Sequence, residues 1–117
     1  MLKNTVTITV PSQCRCGKPI PEEARKTAYD DTLKKMSTWF GGCTVYRAEG
    51  GYCMETGELA REPVDVVESS ASDDALEAHR EDVIQYARDL AERLNQECIT
   101  YTVNGERDFV GSEADAP

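Results

Sequence analysis

Long hydrophobic runs are missing from this sequence. No stretch approaches the ~20 apolar residues that a membrane-spanning helix needs, and the first residues, MLKNTVTITVPSQ, alternate without an apolar signal-peptide core. The expectation is a cytoplasmic protein with no membrane contact. Basic residues are scarce as well. Thirteen Lys and Arg against 22 Asp and Glu leave a net charge of −9, and a field of that sign repels phosphate backbones. Lys34, Lys35, Arg88 and Arg93 are scattered among acids, with no basic stripe interleaved with aromatics. Direct nucleic-acid binding is therefore not expected, and a basic partner is.

Catalytic signatures are also sparse. Histidine occurs once, at His79, which is a weak basis for a nucleophile–base pair. There is no Walker loop, dinucleotide fingerprint or zincin motif. Gly41-Gly42 follows a helical segment, so it cannot cradle a phosphate at a helix N-terminus. An odd count of five cysteines, with no secretion signal, argues for reduced thiols over a disulfide framework.

What is present is the patterning of one α+β domain. The 117 residues are enough to bury a core without a disulfide or metal. Val6, Ile8 and Val10 alternate with Thr5, Thr7 and Thr9, a half-buried strand that Pro11 ends. Ala24, Ala28, Leu33, Met36 and Phe40 fall at helical spacing after Pro21, and Gly41-Gly42 stops the helix. Cys43–Ala48 reads as a second strand, Gly50-Gly51 as a turn or bulge, and Leu59–Glu68 as a third strand. Pro63 suggests an edge position or a bulge there.

Residues 69–74 read as a polar linker and cap before a second helix, whose stripe runs from Leu76 through Val83, Ala87, Leu90 and Leu94 to Cys98. Cys98 is thereby expected in the core. Ile99–Val103 forms the last main strand, and Asn104-Gly105 predicts a hairpin back through Val110. The order is βαββαβ with an extra hairpin, placed around Gly50-Gly51. This is the split βαβ, ferredoxin-like arrangement: an antiparallel sheet with two helices on one face. Residues 1–111 are expected to form one domain, and 112–117 a disordered acidic tail.

Phe40-Gly41-Gly42, Thr44-Val45, Gly51-Tyr52, Gly57-Glu58-Leu59, Arg61-Glu62 and Asn95-Gln96-Glu97 together resemble a pattern in a group of small prokaryotic proteins of unknown function. The resemblance spans about Trp39 to Val103. It implies a ferredoxin-like fold and lends no activity.

Two sets of residues are candidates for chemistry. Cys14 and Cys16, joined by Cys43 and Cys53, would supply four thiolates for zinc, the one cofactor this sequence admits. Cys-x-Cys is a poorer match to a zinc knuckle than Cys-x-x-Cys, and four unrelated thiols are the simpler reading. Tyr46, Tyr52, Glu62 and Tyr101 would line the sheet face left open by the helices, with Glu62 able to meet a cationic ligand or act as a base if desolvated. The competing role for Glu62 is an edge-strand charge that blocks aggregation.

Three functions follow as expectations. The first is a small acidic protein-binding module, of the kind a phage or plasmid encodes as an accessory or inhibitor protein. The second is a homodimer that binds a small molecule, or acts as a small enzyme, through a pocket on the open sheet face. The third is a zinc-stabilised structural domain.

Overall fold

The computed structural model describes residues 2–13 and 18–111. Five strands and two helices follow in the order β1 (Asn4–Val10), α1 (Glu22–Phe40), β2 (Thr44–Cys53), β3 (Leu59–Ala71), α2 (Asp73–Arg93), β4 (Cys98–Val103) and β5 (Glu106–Gly111). They form one antiparallel sheet in the order β2-β3-β1-β4-β5. The first four strands have the ferredoxin-like order, and β5 extends the sheet beyond β4.

Strand alternation decides which face is buried. Val6, Ile8 and Val10 of β1 and Val67 of β3 pack beneath both helices. From α1 come Ala28, Met36 and Phe40, and from α2 Val83, Ala87, Leu90 and Ala91. Burial of this kind is worth about 25 cal/mol per Å² of apolar surface. Threonines occupy the opposite face of β1, and no helix covers that side.

The helix ends follow local chemistry. Pro21 precedes α1, with Glu22 and Glu23 in its first turn, where the dipole favours acids. Gly41 closes it at φ +92°, donating its N–H to the Ser37 carbonyl at 2.8 Å. A side chain there would be strained in the left-handed region. Ser72 caps α2 by accepting the Ala75 N–H at 3.1 Å. Asn104 and Gly105 both take positive φ, so β4 and β5 join through the hairpin the sequence predicts.

Three expectations need correction. Gly50 and Gly51 are neither turn nor bulge. They pair with Glu62 and Arg61 inside one continuous β2, so the extra hairpin lies at β4–β5 and not mid-chain. Residues 69–71 belong to β3, because Asn4, Thr5 and Val6 offer them a full ladder. Cys98 begins β4 and does not extend α2, because Asn95 turns left-handed at φ 51° and ends the helix. Pro63 occupies the expected edge position, because β1 stops beside β3 at the Val10–Asp65 pair and only β2 flanks the strand there. Its missing donor therefore leaves no ladder bond unmade. The predicted tail, 112–117, lies outside the described residues.

Candidate functional site

The open face of the sheet carries a groove of about 760 Å³. Its floor comes from the outward residues Thr9 of β1, Val64 and Val66 of β3 and Thr100 of β4. Tyr52 and Glu62 wall one side, and Phe109 and Arg107 of β5 the other. The cross-strand register explains this convergence. Thr9 stands opposite Val66, Gly50 opposite Glu62, Tyr52 opposite Ala60 and Thr100 opposite Phe109, all on the helix-free side. Gly50 and Gly51 contribute no side chains, which leaves space beside Glu62 and Tyr52.

Glu62 is anchored by one oxygen. Its Oε2 accepts the backbone N–H groups of Gln13 at 3.0 Å and Ser12 at 3.2 Å. The same segment is held from the other side by Gln96, whose Nε2 donates to the Gln13 carbonyl. Glu62 and Gln96 thus clamp both faces of one peptide segment at the end of the groove. The second carboxylate oxygen of Glu62 takes no hydrogen bond among the described residues.

Of the four residues expected to line this face, Tyr52 and Glu62 line the groove. Tyr46 shares the face, opposite Val66, but stands beside the groove and is 51% exposed. Tyr101 is a correction. It pairs with Ile8 on the helix-covered face, is 8% exposed, and directs its hydroxyl to Asp108 at 3.4 Å. Ile99 and Val103 already claim that face, so the two-residue period puts Tyr101 with them. Burial pushes its pKa up, with the Asp108 carboxylate adding to the shift.

The four-cysteine zinc set is not assembled. Cys43 immediately precedes β2 and Cys53 ends it, which at ~3.3 Å per residue separates them by roughly 30 Å. They cannot share an ion whose Zn–S bonds are about 2.3 Å. Cys43 is half-buried against the Leu33 carbonyl and Ser37, and Cys53 is exposed. Cys14 and Cys16 lie outside the described residues. Among the described residues no group of three or more His, Cys, Asp or Glu is placed to hold a metal.

The fold is shared with a phage SAM lyase. In complex with S-methyl-5′-thioadenosine, that enzyme superimposes with a TM-score of 0.63 at 13% identity, over 94% of this chain and 90% of its own. Its apo state gives 0.61 at 16% identity over the same shares. CutA from Synechococcus elongatus gives 0.49 at 12% identity, over 92% of this chain and 80% of that one. No protein-family model matches the chain, and no curated protein matches it. At 13% and 16% identity the likeness to the phage enzyme shows a common fold.

Sequence reasoning missed Gln13, Gln96, Arg107 and Phe109. The Asn104-Gly105 turn fixes the β4–β5 register, so Phe109 was reachable by counting across from Thr100. Gln96 has no such local signal, because only the tertiary approach of the α2–β4 turn to the β1 end joins it to Gln13.

A second concavity lies on the outer side of the helix pair, about 810 Å³ and lined by Asp31, Asp82, Asp89 and Glu92 with Lys35 and Arg93. Trp39 edges it and stacks on His79, with centroids 6.2 Å apart. The His79 Nδ1 lies 2.9 Å from the Asp82 carboxylate, one helical turn on. No helix of the described residues is long and apolar enough to cross a membrane.

Proposed function

We propose that the groove on the open sheet face binds a small ligand that joins a flat heterocycle to a cationic or thioether centre. The observation that carries this reading is the pairing of aromatic walls, Tyr52 and Phe109, with Glu62, whose carboxylate is fixed at Oε2 and, among the described residues, uncommitted at its other oxygen. Aromatic faces stack a heterocycle. A fixed carboxylate favours a positive centre, and being pre-positioned it loses little on binding.

The phage enzyme of the same fold, described as a SAM lyase in complex with S-methyl-5′-thioadenosine, supports narrowing the class to 5′-thioadenosyl compounds. S-adenosylmethionine carries a sulfonium cation, and S-methyl-5′-thioadenosine is its neutral thioether counterpart.

Calorimetric titration of the full chain with both compounds tests the proposal. Binding of either, lost in Tyr52→Ala, is the expected result. Glu62→Gln should weaken the sulfonium ligand more than the thioether, because only the former has a charge for the carboxylate to meet. Chromatography of the same mixtures reads whether bound S-adenosylmethionine is converted. Absence of binding by both compounds would overturn the reading.

The net charge of −9 and the carboxylates along the outer helix groove favour a second reading, an acidic module that engages a basic protein. Such binding weakens steeply with salt. Capture of a partner from host lysate that persists unchanged at high salt would remove it.

A further inference from the structure

The helix-covered side of the sheet holds a cavity that is separate from the open-face groove. It measures about 240 Å³ and lies between the N-terminal half of α1 and the strands β2 and β3. Strand parity puts Asp65 in its lining. Asp65 stands with Val67 and Ser69 on the face beneath the helices, between Val10 of β1 and Arg47 of β2. It is only 8% exposed, yet its side chain takes no hydrogen bond and no ion pair among the described residues. Among those residues, no sealed side-chain oxygen or nitrogen lacks a partner. The Asp65 carboxylate therefore opens onto the cavity it lines. Burying a carboxylate without a counter-charge is costly, and such departures from good packing concentrate at functional sites.

Charges of the other sign share the lining. Arg25 is half-buried, and Lys26 and Arg47 are exposed. None of the three makes an ion pair among the described residues. Arg47 is the cross-strand neighbour of Asp65, and even these two are not joined. Tyr29, half-buried, adds an aromatic wall, while Glu22 and Asp30 stand exposed at the rim. The ligand chemistry follows by elimination. An amine alone would answer Asp65 and leave three cations facing it. A carboxylate alone would answer the cations and meet Asp65. A molecule that carries both charges a few bonds apart satisfies the set.

We infer that this cavity binds a free α-amino acid, with its ammonium group on Asp65 and its carboxylate between Arg47 and Arg25. A guanidinium matches a carboxylate with two parallel hydrogen bonds. The Tyr29 ring borders the ligand's side chain. The volume lies below the ~300–1,000 Å³ of ordinary ligand pockets, which suits a ligand this small. The inference is independent of the nucleoside reading, because cavity and groove lie on opposite faces of the sheet.

Thermal melting of the full chain with each standard amino acid, followed by calorimetric titration of those that raise the Tm, tests it. At least one should raise the Tm by mass action. Its carboxamide and its N-acetyl derivative, each lacking one charge, should not. Asp65→Asn should abolish the shift, and Arg47→Gln should weaken binding about tenfold. Asp65→Asn should also leave the ligand-free Tm unchanged or higher, because it removes a buried, unpaired charge. Tyr52→Ala, which alters only the groove, should bind the amino acid as the parent does. A lower ligand-free Tm in Asp65→Asn would assign the carboxylate to the fold and overturn the inference. So would the lack of a shift with every amino acid, an equal shift from the N-acetyl derivative, or binding that survives Asp65→Asn. Binding lost in Tyr52→Ala would place the ligand in the groove and overturn it as well.

Discussion

Thr32 and Tyr86 join their hydroxyls at 2.7 Å in the seam between α1 and α2. Thr32 also lies 2.7 Å from the Ala28 carbonyl, one turn back, and donates its single proton there. Tyr86 is therefore the donor to Thr32. Thr32 is fully buried and Tyr86 nearly so, so neither hydroxyl has water as a substitute partner. Thr32→Val should cost about 1–3 kcal/mol, because it strands a buried phenol. Tyr86→Phe removes the donor and should cost only about 1 kcal/mol. Urea unfolding of the two variants gives the comparison, and equal losses would contradict the donor assignment.

Burial raises the Tyr86 pKa from 10.0 to about 12. Its folded value exceeds its unfolded value, so the contribution to stability is complete below about 10 and declines as pH rises through about 12. Thermal melting between those pH values should show a falling Tm that Tyr86→Phe largely flattens. A variant profile as steep as the parent's would assign the alkaline loss elsewhere.

Glu62→Ala should free the segment after β1. The carboxylate satisfies two backbone N–H groups there, and such charge-assisted bonds contribute about 1.5–3 kcal/mol. Hydrogen exchange at Ser12 and Gln13 should accelerate, while exchange in α2 stays as it was. Unchanged protection at both amides would show that the segment's other contacts, from Gln96, Pro63 and Arg61, suffice to hold them.

The Asp73 carboxyl is held below its ordinary value of 3.8, chiefly by a hydrogen bond from Asn4 and then by Lys3. A depressed folded pKa means the contribution is present above 3.8 and disappears as pH falls through the lower folded value. Asn4→Ala should make stability at acid pH less sensitive to Asp73 titration. An NMR titration of the Asp73 carboxyl in parent and variant checks it, and an unmoved midpoint would reject Asn4 as the main cause.

Much of the architecture was legible because it rests on local chemistry. The Val6-Ile8-Val10 alternation, the stop at Gly41-Gly42 and the Asn104-Gly105 turn each act within a few residues. Gly50-Gly51 misled for the opposite reason. Glycine permits a turn, yet the long β3 supplied a ladder that held β2 extended through both positions. Half of the groove's chemical walls, Tyr52 and Glu62, could be found from strand parity. Tyr101 was lost through the parity of β4, which Ile99 and Val103 set against the helices.

The sequence by itself determined the element types, the α+β class and the acidic charge, since periodicity, turn residues and titratable counts are properties of the chain. Only the tertiary structure decided that Glu62, Gln96 and Gln13 meet, that Phe109 faces Tyr52 across a groove, and that Cys43 and Cys53 stand a strand's length apart. Those relationships depend on strand order and on where one strand outruns its neighbour. These are set by packing between segments far apart in sequence, and no local pattern encodes them.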